Sequence, residues 1–171
     1  MDIELKNRTS EHVVVFWNKM QDDKIKRLFP TSIGTVEESL VLFENSLKAD
    51  SKSFGKVIYF GEKYIGDVWC YGIDENDEKM AMLSIVIFDK AHWGKGIATV
   101  AVTTFVHEVF GKYKIEKLGA FTFSNNYASI CLLRKTGFME VEKFLEDEIE
   151  SKYFEIRVVE GKFFGEMEEL L

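Results

Sequence analysis

The hydrophobic positions of the first fifty residues predict one short strand and two helical regions. Residues 2–7 alternate apolar and polar side chains, which is typical of a strand. Ser10 is the predicted N-cap of a first helical region, which Pro30 ends. Thr35 is the predicted cap of a second helix, because Glu38 three residues later completes a capping box. The apolar face of that second helix consists of Leu40, Phe43 and Leu47.

The middle of the chain changes to strand patterning. Residues 54–60 and 64–73 are predicted strands joined by a turn at 61–63. Residues 80–88 are nearly all apolar and are therefore expected to form a strand near the centre of a sheet. The acidic run at 74–78 is predicted to be a solvated hairpin loop, since a calcium loop would need a glycine at its sixth position and a glutamate at its twelfth.

The last part of the chain predicts two further helices and three strands. Residues 96–110 place apolar side chains at helical spacing, a strand is predicted at 115–123, and a short helix at 126–136. Gly137 suits the left-handed position after that helix, with Phe138 folding back in a Schellman-type ending. A hairpin at 139–147 and 152–159 follows, and the tail from residue 160 is expected to be helical or loosely held.

The order of these elements predicts an α/β (α+β) fold with a mixed sheet and helices on both faces. No repeat, linker or low-complexity segment divides the chain, so residues 1–171 are expected to form one domain with residues 160–171 as its C-terminal tail. The chain is 46% hydrophobic and 14% aromatic, which is enough for a core, and its 30% of charged residues argues against disorder.

The charge of the chain excludes some classes of partner. The formal net charge is −7 and no cluster of lysine and arginine is present, which argues against binding nucleic acid. The first residues lack the basic start and apolar stretch of a signal peptide. No apolar run approaches the roughly 20 residues that a membrane helix needs. We therefore expect a cytoplasmic protein that binds neither nucleic acid nor a membrane.

The two cysteines predict neither a disulfide nor a metal site. Cys70 and Cys131 lie far apart, and neither has a CxxC partner or a histidine at metal-ligand spacing. Both lie in apolar runs, so both are expected to be reduced thiols in the core. No metal is expected.

The candidate chemistry begins where the strand at 80–88 meets a loop containing Gly94 and Gly96 and then a helix. A strand, a glycine turn and a helix N-terminus direct backbone N–H groups and a helix dipole at one place, which suits a pyrophosphate. Lys95 adds a positive charge at the rim. Neither the P-loop pattern nor the dinucleotide-binding fingerprint is present, which disfavours a Rossmann-type nucleotide binder.

Two motifs resemble those of the GNAT superfamily of N-acetyltransferases. Residues 93–98 (WGKGIA) match the family's pyrophosphate loop, Q/R-x-x-G-x-G/A, with Trp93 at the place of glutamine or arginine. Residues 126–129 (NYAS) begin a helix that ends in 135–138 (KTGF), like the family's second signature. The tryptophan variant of the loop is similar to that of the bacterial ribosomal-protein N-terminal acetyltransferases (RimJ/RimL type).

The resemblance implies direct transfer of an acetyl group from acetyl-CoA to a primary amine, either a protein N-terminus or a small cationic amine. It also implies a mostly antiparallel central sheet that splays between its fourth and fifth strands. Leu133 stands where many relatives carry a tyrosine, so Ser129, with Asn126, is the predicted catalytic group. The residues implied to bind the cofactor are Ile85, Val86, Ile87, Trp93, Gly94, Lys95, Gly96, Ile97, Ala98, Thr99 and Asn126.

Alternatives to this assignment remain open. The missing tyrosine also fits a non-catalytic acyl-CoA-binding sensor or regulatory module. The resemblance leaves a homodimer open, although no segment identifies an interface. The strand at 80–88 lacks the glutamate that relatives often use as the base, so the remaining candidates are acids elsewhere, each expected to be a solvated charge. They are Asp67, Glu140 and Glu142.

The remaining candidates are acidic, histidine and aromatic side chains. Residues 140–150 carry six acids against Lys143, which favours a cationic acceptor. His92 lies beside the glycine loop, where a surface role competes with a contact to coenzyme A. His12 and His107 are expected to be structural. Three aromatic residues are expected to pack in the core, with the acceptor pocket as the alternative: Phe16, Trp17 and Tyr71.

Overall fold

The computed structural model describes residues 2–159 and 162–163. Within these residues a mixed sheet runs in the order β1-β2-β3-β4-β5-β7-β6, and β8 pairs with β7. The strands are β1 (Ile3–Lys6), β2 (Ser53–Phe60), β3 (Lys63–Asp74), β4 (Met80–Ile87), β5 (Lys117–Phe123), β6 (Met139–Glu146), β7 (Ile149–Val159) and β8 (Lys162–Phe163). The helices are α1 (Ser10–Lys19), α2 (Asp23–Leu28), α3 (Val36–Ser46), α4 (Ile97–Lys112) and α5 (Tyr127–Lys135), with a short 3₁₀ helix at Lys90–His92.

The sheet is antiparallel except at its centre, where β4 and β5 are parallel. Their pairing covers only Met80 to Met82 against Lys117 to Gly119. Both strands continue beyond that point, β4 to Ile87 and β5 to Phe123, without pairing to each other. The sheet therefore splays between its fourth and fifth strands, as predicted.

Helices cover both faces of the sheet, which confirms the predicted layering. On one face, α4 and α5 pack against β3, β4 and β5 through a core that includes the fully buried Phe105 and Leu118. On the other face, Met20 at the end of α1 and Ile25 of α2 pack against Val86 of β4. The nearly all-apolar sequence of β4 follows from this position, because both of its faces are buried.

Three details of the N-terminal helices differ from the prediction. Thr9, not Ser10, caps α1, because its extended backbone lets its hydroxyl accept from the His12 N–H while His12 Nδ1 accepts from the Thr9 N–H. The region before Pro30 contains two helices, since Asp22 caps α2 with its own side chain. Leu47 is the C-cap of α3 and is 68% exposed, so it does not belong to the buried face.

The predicted capping box of α3 and the Schellman ending of α5 are both confirmed. The Thr35 hydroxyl accepts from the Glu38 N–H at 3.1 Å, and the Glu38 carboxylate accepts from the Thr35 N–H at 3.2 Å. Gly137 has φ 88°, and the Phe138 N–H donates to the Leu133 carbonyl at 2.9 Å.

The C-terminal hairpin is longer than predicted. Asp147 and Glu148 both have positive φ, so a two-residue turn joins β6 to β7, and β7 begins at Ile149 instead of residue 152. Part of the expected helical or loose tail is a strand, because residues 162–163 pair with Val158 and Val159 of β7. Residues 160–161 and 164–171 lie outside the described residues.

Candidate active site

A cleft with a volume of about 850 Å³ lies where β4 and β5 diverge. Its walls are the free parts of these two strands, the loop that precedes α4, the first turns of α5, and residues of α2 and of the β6–β7 hairpin. The cleft follows from the topology, because two parallel neighbours that stop pairing leave a gap in the middle of the sheet.

The glycine loop brings an anion-binding arrangement to one end of this cleft. Gly94 has φ 73° and Gly96 has φ 77°, a left-handed backbone that other residues adopt at a cost. Gly96 is the N-cap of α4 and has no side chain to bond the first N–H groups of that 16-residue helix. A Cβ at Gly94 would meet no atom within 4 Å, so the surface beside it is open.

Trp93 fixes this loop to the end of β4. Its indole Nε1 donates a hydrogen bond to the Ile87 carbonyl at 2.7 Å, and Lys24 Nζ lies 4.9 Å from the centre of a Trp93 ring. Trp93 lines the cleft, and it also holds the loop in place. The sequence places Trp93 at the glutamine or arginine position of the motif but carries no signal for this anchoring bond.

The backbone N–H and C=O groups of successive residues in β4 point alternately toward β3 and toward the cleft. The Val86 carbonyl lies so close to Gly66 of β3 that a Cβ there would come within 2.2 Å of it, so Val86 directs its backbone at β3. Because backbone groups alternate along a strand, those of Ile85 and Ile87 face the gap. Val86 therefore borders the cleft with its side chain, and the Ile87 carbonyl is already bonded to Trp93.

Asn126 and Ser129 stand together at the start of α5. The Asn126 side chain caps the helix by accepting from the Ser129 N–H at 3.2 Å. Both residues line the cleft, and the Ser129 backbone amide makes the cap bond, so the hydroxyl takes no part in it. Leu133 lies one turn further on, is buried, and also borders the cleft.

The structure brings together nearly all the residues predicted to bind the cofactor. Lys95 is the exception, because it is exposed on the loop and does not line the cleft. The predicted residues that line the cleft are Ile85, Val86, Ile87, Trp93, Gly94, Gly96, Ile97, Ala98, Thr99 and Asn126.

Phe29 and Phe121 are aromatic residues of the cleft that were not predicted, whereas for Tyr71 the acceptor pocket was the predicted alternative. Phe121 is 54% exposed on β5, with its ring 5.5 Å from that of Phe144 on β6. Tyr71 is 41% exposed and lines the cleft, so the prediction that it packs in the core is wrong. Phe29, beyond α2, also lines the cleft. The sequence carried one signal for Phe121. Side chains alternate between the two faces of β5, which puts Phe121 on the face opposite the buried Leu118 and Ala120.

Asp67 is buried, which corrects the expectation of a solvated charge. It is 2% exposed, its Oδ2 lies 2.9 Å from Arg8 Nε, and it accepts a hydrogen bond from the Tyr64 hydroxyl. Burial raises the pKa of Asp67 to about 6. It lies on the same sheet face as α1 but does not line the cleft.

Glu140 is held by two ion pairs, and His92 lies beside an aspartate. Glu140 pairs with Lys152 and Arg134, each at 3.0 Å, and these bonds lower the pKa of its carboxyl. His92 lines the cleft with its Nδ1 3.2 Å from Asp89 Oδ2.

His12 and the two cysteines are the last of the candidate residues. His12 Nε2 lies 2.9 Å from the Tyr59 hydroxyl, which fits the predicted structural role. Cys70 is buried as predicted, whereas Cys131 is exposed and lines the cleft, which corrects its assignment to the core. No group of three or more metal-ligating side chains occurs among residues 2–159 and 162–163, and no helix of that part is long and apolar enough to cross a membrane.

Comparisons with known proteins agree with this geometry. The sequence is 31% identical to the probable N-acetyltransferase YjcK of Bacillus subtilis (strain 168) over 97 aligned residues. These residues make up 56% of this chain. The match spans only 53% of that protein, about half its length.

Solved structures share the fold at low sequence identity. The spermidine N-acetyltransferase from Vibrio cholerae in complex with CoA and spermine superposes with a TM-score of 0.81 at 18% identity, over 91% of this chain and 95% of that one. The aminoglycoside acetyltransferase AAC(6')-Ib in complex with coenzyme A gives a TM-score of 0.76 at 15% identity, over 91% and 94%.

The family profile extends the match beyond the two motifs. The profile described as the acetyltransferase (GNAT) domain matches residues 2–139, which include β1 to α5, the diverging strands and the glycine loop. The chain therefore belongs to the GNAT acetyltransferase family.

Proposed function

We propose that this protein is an acetyl-CoA-dependent N-acetyltransferase that transfers the acetyl group directly to a primary amine. The observation that carries the proposal is the continuity of the gap between β4 and β5 with the glycine loop before α4. A long, narrow donor with an anionic part needs both features at once. The tryptophan at the loop supports a relationship to the ribosomal-protein N-terminal acetyltransferases.

The residues present fit such a donor. The amides at the start of α4, next to Gly94 and Gly96, suit its pyrophosphate. The free backbone groups of β4 suit its amide-containing arm, as an added strand would. These groups are the Ile85 N–H and carbonyl and the Ile87 N–H.

The main contribution of the protein to this reaction is to position the thioester and the amine. Bound acetyl-CoA supplies the acetyl group as an activated thioester. An N–H of β4 that faces the gap would polarise the thioester carbonyl. The neutral amine forms the new C–N bond as the C–S bond breaks, the amine loses one proton, and the thiolate gains one. The Ser129 hydroxyl is our candidate donor to the thiolate.

Thiol release from acetyl-CoA in the presence of a panel of amines tests this function. We expect release that depends on both the protein and an amine, with the acetylated amine identified by mass spectrometry. Leu133 in place of a tyrosine favours a second candidate, a coenzyme A-binding module without catalysis. Tight binding of acetyl-CoA without release for any amine would support that alternative.

A further inference from the structure

Besides Trp93, the cleft is lined by aromatic rings from β3, β5, β6 and the segment after α2. We call Phe29, Tyr71, Phe121 and Phe144 the aromatic wall. Phe121 contacts Phe144 edge to face, and its ring centre lies 5.0 Å from that of Tyr153. The Phe121 side chain is 54% exposed to solvent. Because it borders the cleft, an apolar group bound there would cover it.

Carboxylates are missing from the same place. Of the described residues that line the cleft, none is aspartate or glutamate. Asp67 is buried against Arg8, and Glu155 is bonded to Tyr153 and Arg157. Burial raises the pKa of the Tyr153 hydroxyl, and Glu142 lies near enough to raise it further, but Glu142 does not line the cleft. An acceptor with several positive charges would lose hydration here without gaining a counter-charge, which is unfavourable.

The cleft also offers few groups to remove a proton from an ammonium ion. Its titratable side chains within the described residues are Tyr71, His92, Cys131 and Lys135. Burial raises the pKa of Tyr71, so this phenol keeps its proton. His92 belongs to the short helix before the glycine loop, with Nδ1 turned to Asp89, and Lys63 pairs with the same carboxylate.

An acceptor amine that is already neutral needs no base to remove a proton before it attacks, and its remaining excess proton leaves as the thiolate gains one. An α-amino group has a pKa of about 7.7–8.0, so roughly a third of it is neutral at a pH of about 7.5. An alkylamine with a pKa of about 10.4, such as a lysine side chain, is neutral in only roughly one molecule in a thousand at that pH. A weakly basic amine therefore starts with an advantage of roughly 250-fold in reactive concentration.

We propose that the acceptor is a weakly basic primary amine attached to an apolar group, and preferably an aromatic one. This inference rests on the proposed function and narrows its substrate class. It separates this chain from proteins of the same fold whose solved complexes contain spermine or an aminoglycoside. The amine could belong to a small molecule or to the first residue of a peptide, since the recognised chemistry is the same.

Four amines separate basicity from apolar contact in the thiol-release assay. Phenylalanine amide combines a weakly basic amine with an aromatic ring, glycine amide lacks the ring, and phenylethylamine keeps the ring on a strongly basic amine. Spermidine represents polycations. At pH 7.5 we expect kcat/KM for phenylalanine amide to exceed each of the others by about tenfold or more. The advantage over phenylethylamine should shrink as the pH rises and that amine becomes neutral.

Variants of the aromatic wall test the contact itself. Phe121→Ala should lower kcat/KM for phenylalanine amide about tenfold more than it lowers kcat/KM for glycine amide, because only the first of these amines has a ring to contact Phe121. Leu145→Ala is the matched control, since Leu145 lies on the same hairpin as Phe144, is 71% exposed and does not line the cleft. A peptide that begins with phenylalanine, compared with phenylalanine amide, shows which source of the amine is preferred.

The outcomes distinguish this inference from the proposed function. Higher kcat/KM for spermidine than for phenylalanine amide would overturn the inference while supporting N-acetyl transfer. A pH profile that is the same for every amine and is lost in His92→Asn would assign the proton to His92 and also contradict it. Thiol release with none of the amines, despite coenzyme A binding, would contradict the proposed function itself.

Discussion

At the scale of single residues, Ser129 is positioned by its amide and is free to act through its hydroxyl. Its N–H completes the cap with Asn126, so a change that removes only the hydroxyl leaves the start of α5 intact. We expect Ser129→Ala to lower kcat about 100-fold if the hydroxyl protonates the leaving thiolate, with coenzyme A affinity and melting temperature unchanged. Single-turnover kinetics and calorimetry measure the two effects separately.

Asn126→Ser is the companion variant. A serine can still cap the helix, so the stability should be nearly retained. Asn126→Ala should instead cost about 1 kcal/mol in the free energy of unfolding and reduce activity through the displaced helix start.

Full activity in Ser129→Ala would refute the assignment of the thiolate proton to Ser129.

Trp93 gives a second prediction at this scale. Trp93→Phe keeps a ring but removes the bond from Nε1 to the Ile87 carbonyl, so we expect a loss of about 1 kcal/mol in stability and weaker coenzyme A binding. The matched control is Trp17→Phe, because Trp17 Nε1 is buried and has no hydrogen-bond partner among the described residues. Titration calorimetry should show reduced affinity in the first variant alone. Equal affinity in both would mean that Trp93 does not anchor the loop.

At the scale of elements, the glycine loop and α4 act as one unit, and Gly94 tests it. Gly94→Ala puts a methyl group on a left-handed residue, which costs about 1–2 kcal/mol, and places it on the surface next to the amides of α4. We expect coenzyme A affinity to fall at least about tenfold.

Gly72 provides a control for the backbone strain. It has φ 61° on β3, and a Cβ there would also meet no atom within 4 Å, but it does not line the cleft. Gly72→Ala should therefore lose a similar amount of stability and keep its coenzyme A affinity. If both variants lost affinity to the same extent, the loss would reflect stability and not the anion site.

The elements themselves were largely predictable, and the exceptions have local causes. Each strand and helix predicted before residue 160 is present, because apolar periodicity, caps and glycine ends act over a few residues. The cap of α1 was assigned one residue too late, since Thr9 and Ser10 are both good caps and only the backbone conformation separates them. α2 was missed as a separate helix because its six residues carry little periodicity.

At the scale of the whole molecule, a buried network joins the N-terminal segment to the sheet. Asp67 of β3 bonds to Arg8, which precedes α1, and to Tyr64, whose hydroxyl donates to Asp67 and lies 3.4 Å from the His12 carbonyl. The contacts between α1 and the sheet therefore centre on a carboxyl group that is 2% exposed.

This network predicts a pH dependence of stability. The pKa of Asp67 is about 6 in the folded protein, above its ordinary value of 3.8, so the folded state holds this proton more tightly. The resulting stability is fully present below pH 3.8 and is lost as the pH rises through about 6. Between pH 4 and pH 7, the free energy of unfolding should fall by about 2 kcal/mol relative to that of Asp67→Asn.

Denaturant unfolding of both proteins across this pH range measures the effect. Asp67→Asn removes this carboxyl and leaves the other titratable groups in place, so the pH dependence of the difference between the two proteins reports on Asp67. A difference between the two proteins that does not change with pH would show that folding leaves the pKa of Asp67 unchanged.

The sequence by itself determined the elements, the glycine loop at residues 93–98 and the helix start at Asn126, because each depends on contacts within a few residues. Only the tertiary structure decided how far β4 and β5 pair, which residues of α2 and β6 face the cleft, and that Asp67 is buried. These properties depend on residues far apart in the chain, such as Arg8 with Asp67 and Phe121 with Phe144. Local patterns encode which face a side chain takes, but the neighbour it meets there is set by the packing of the whole sheet.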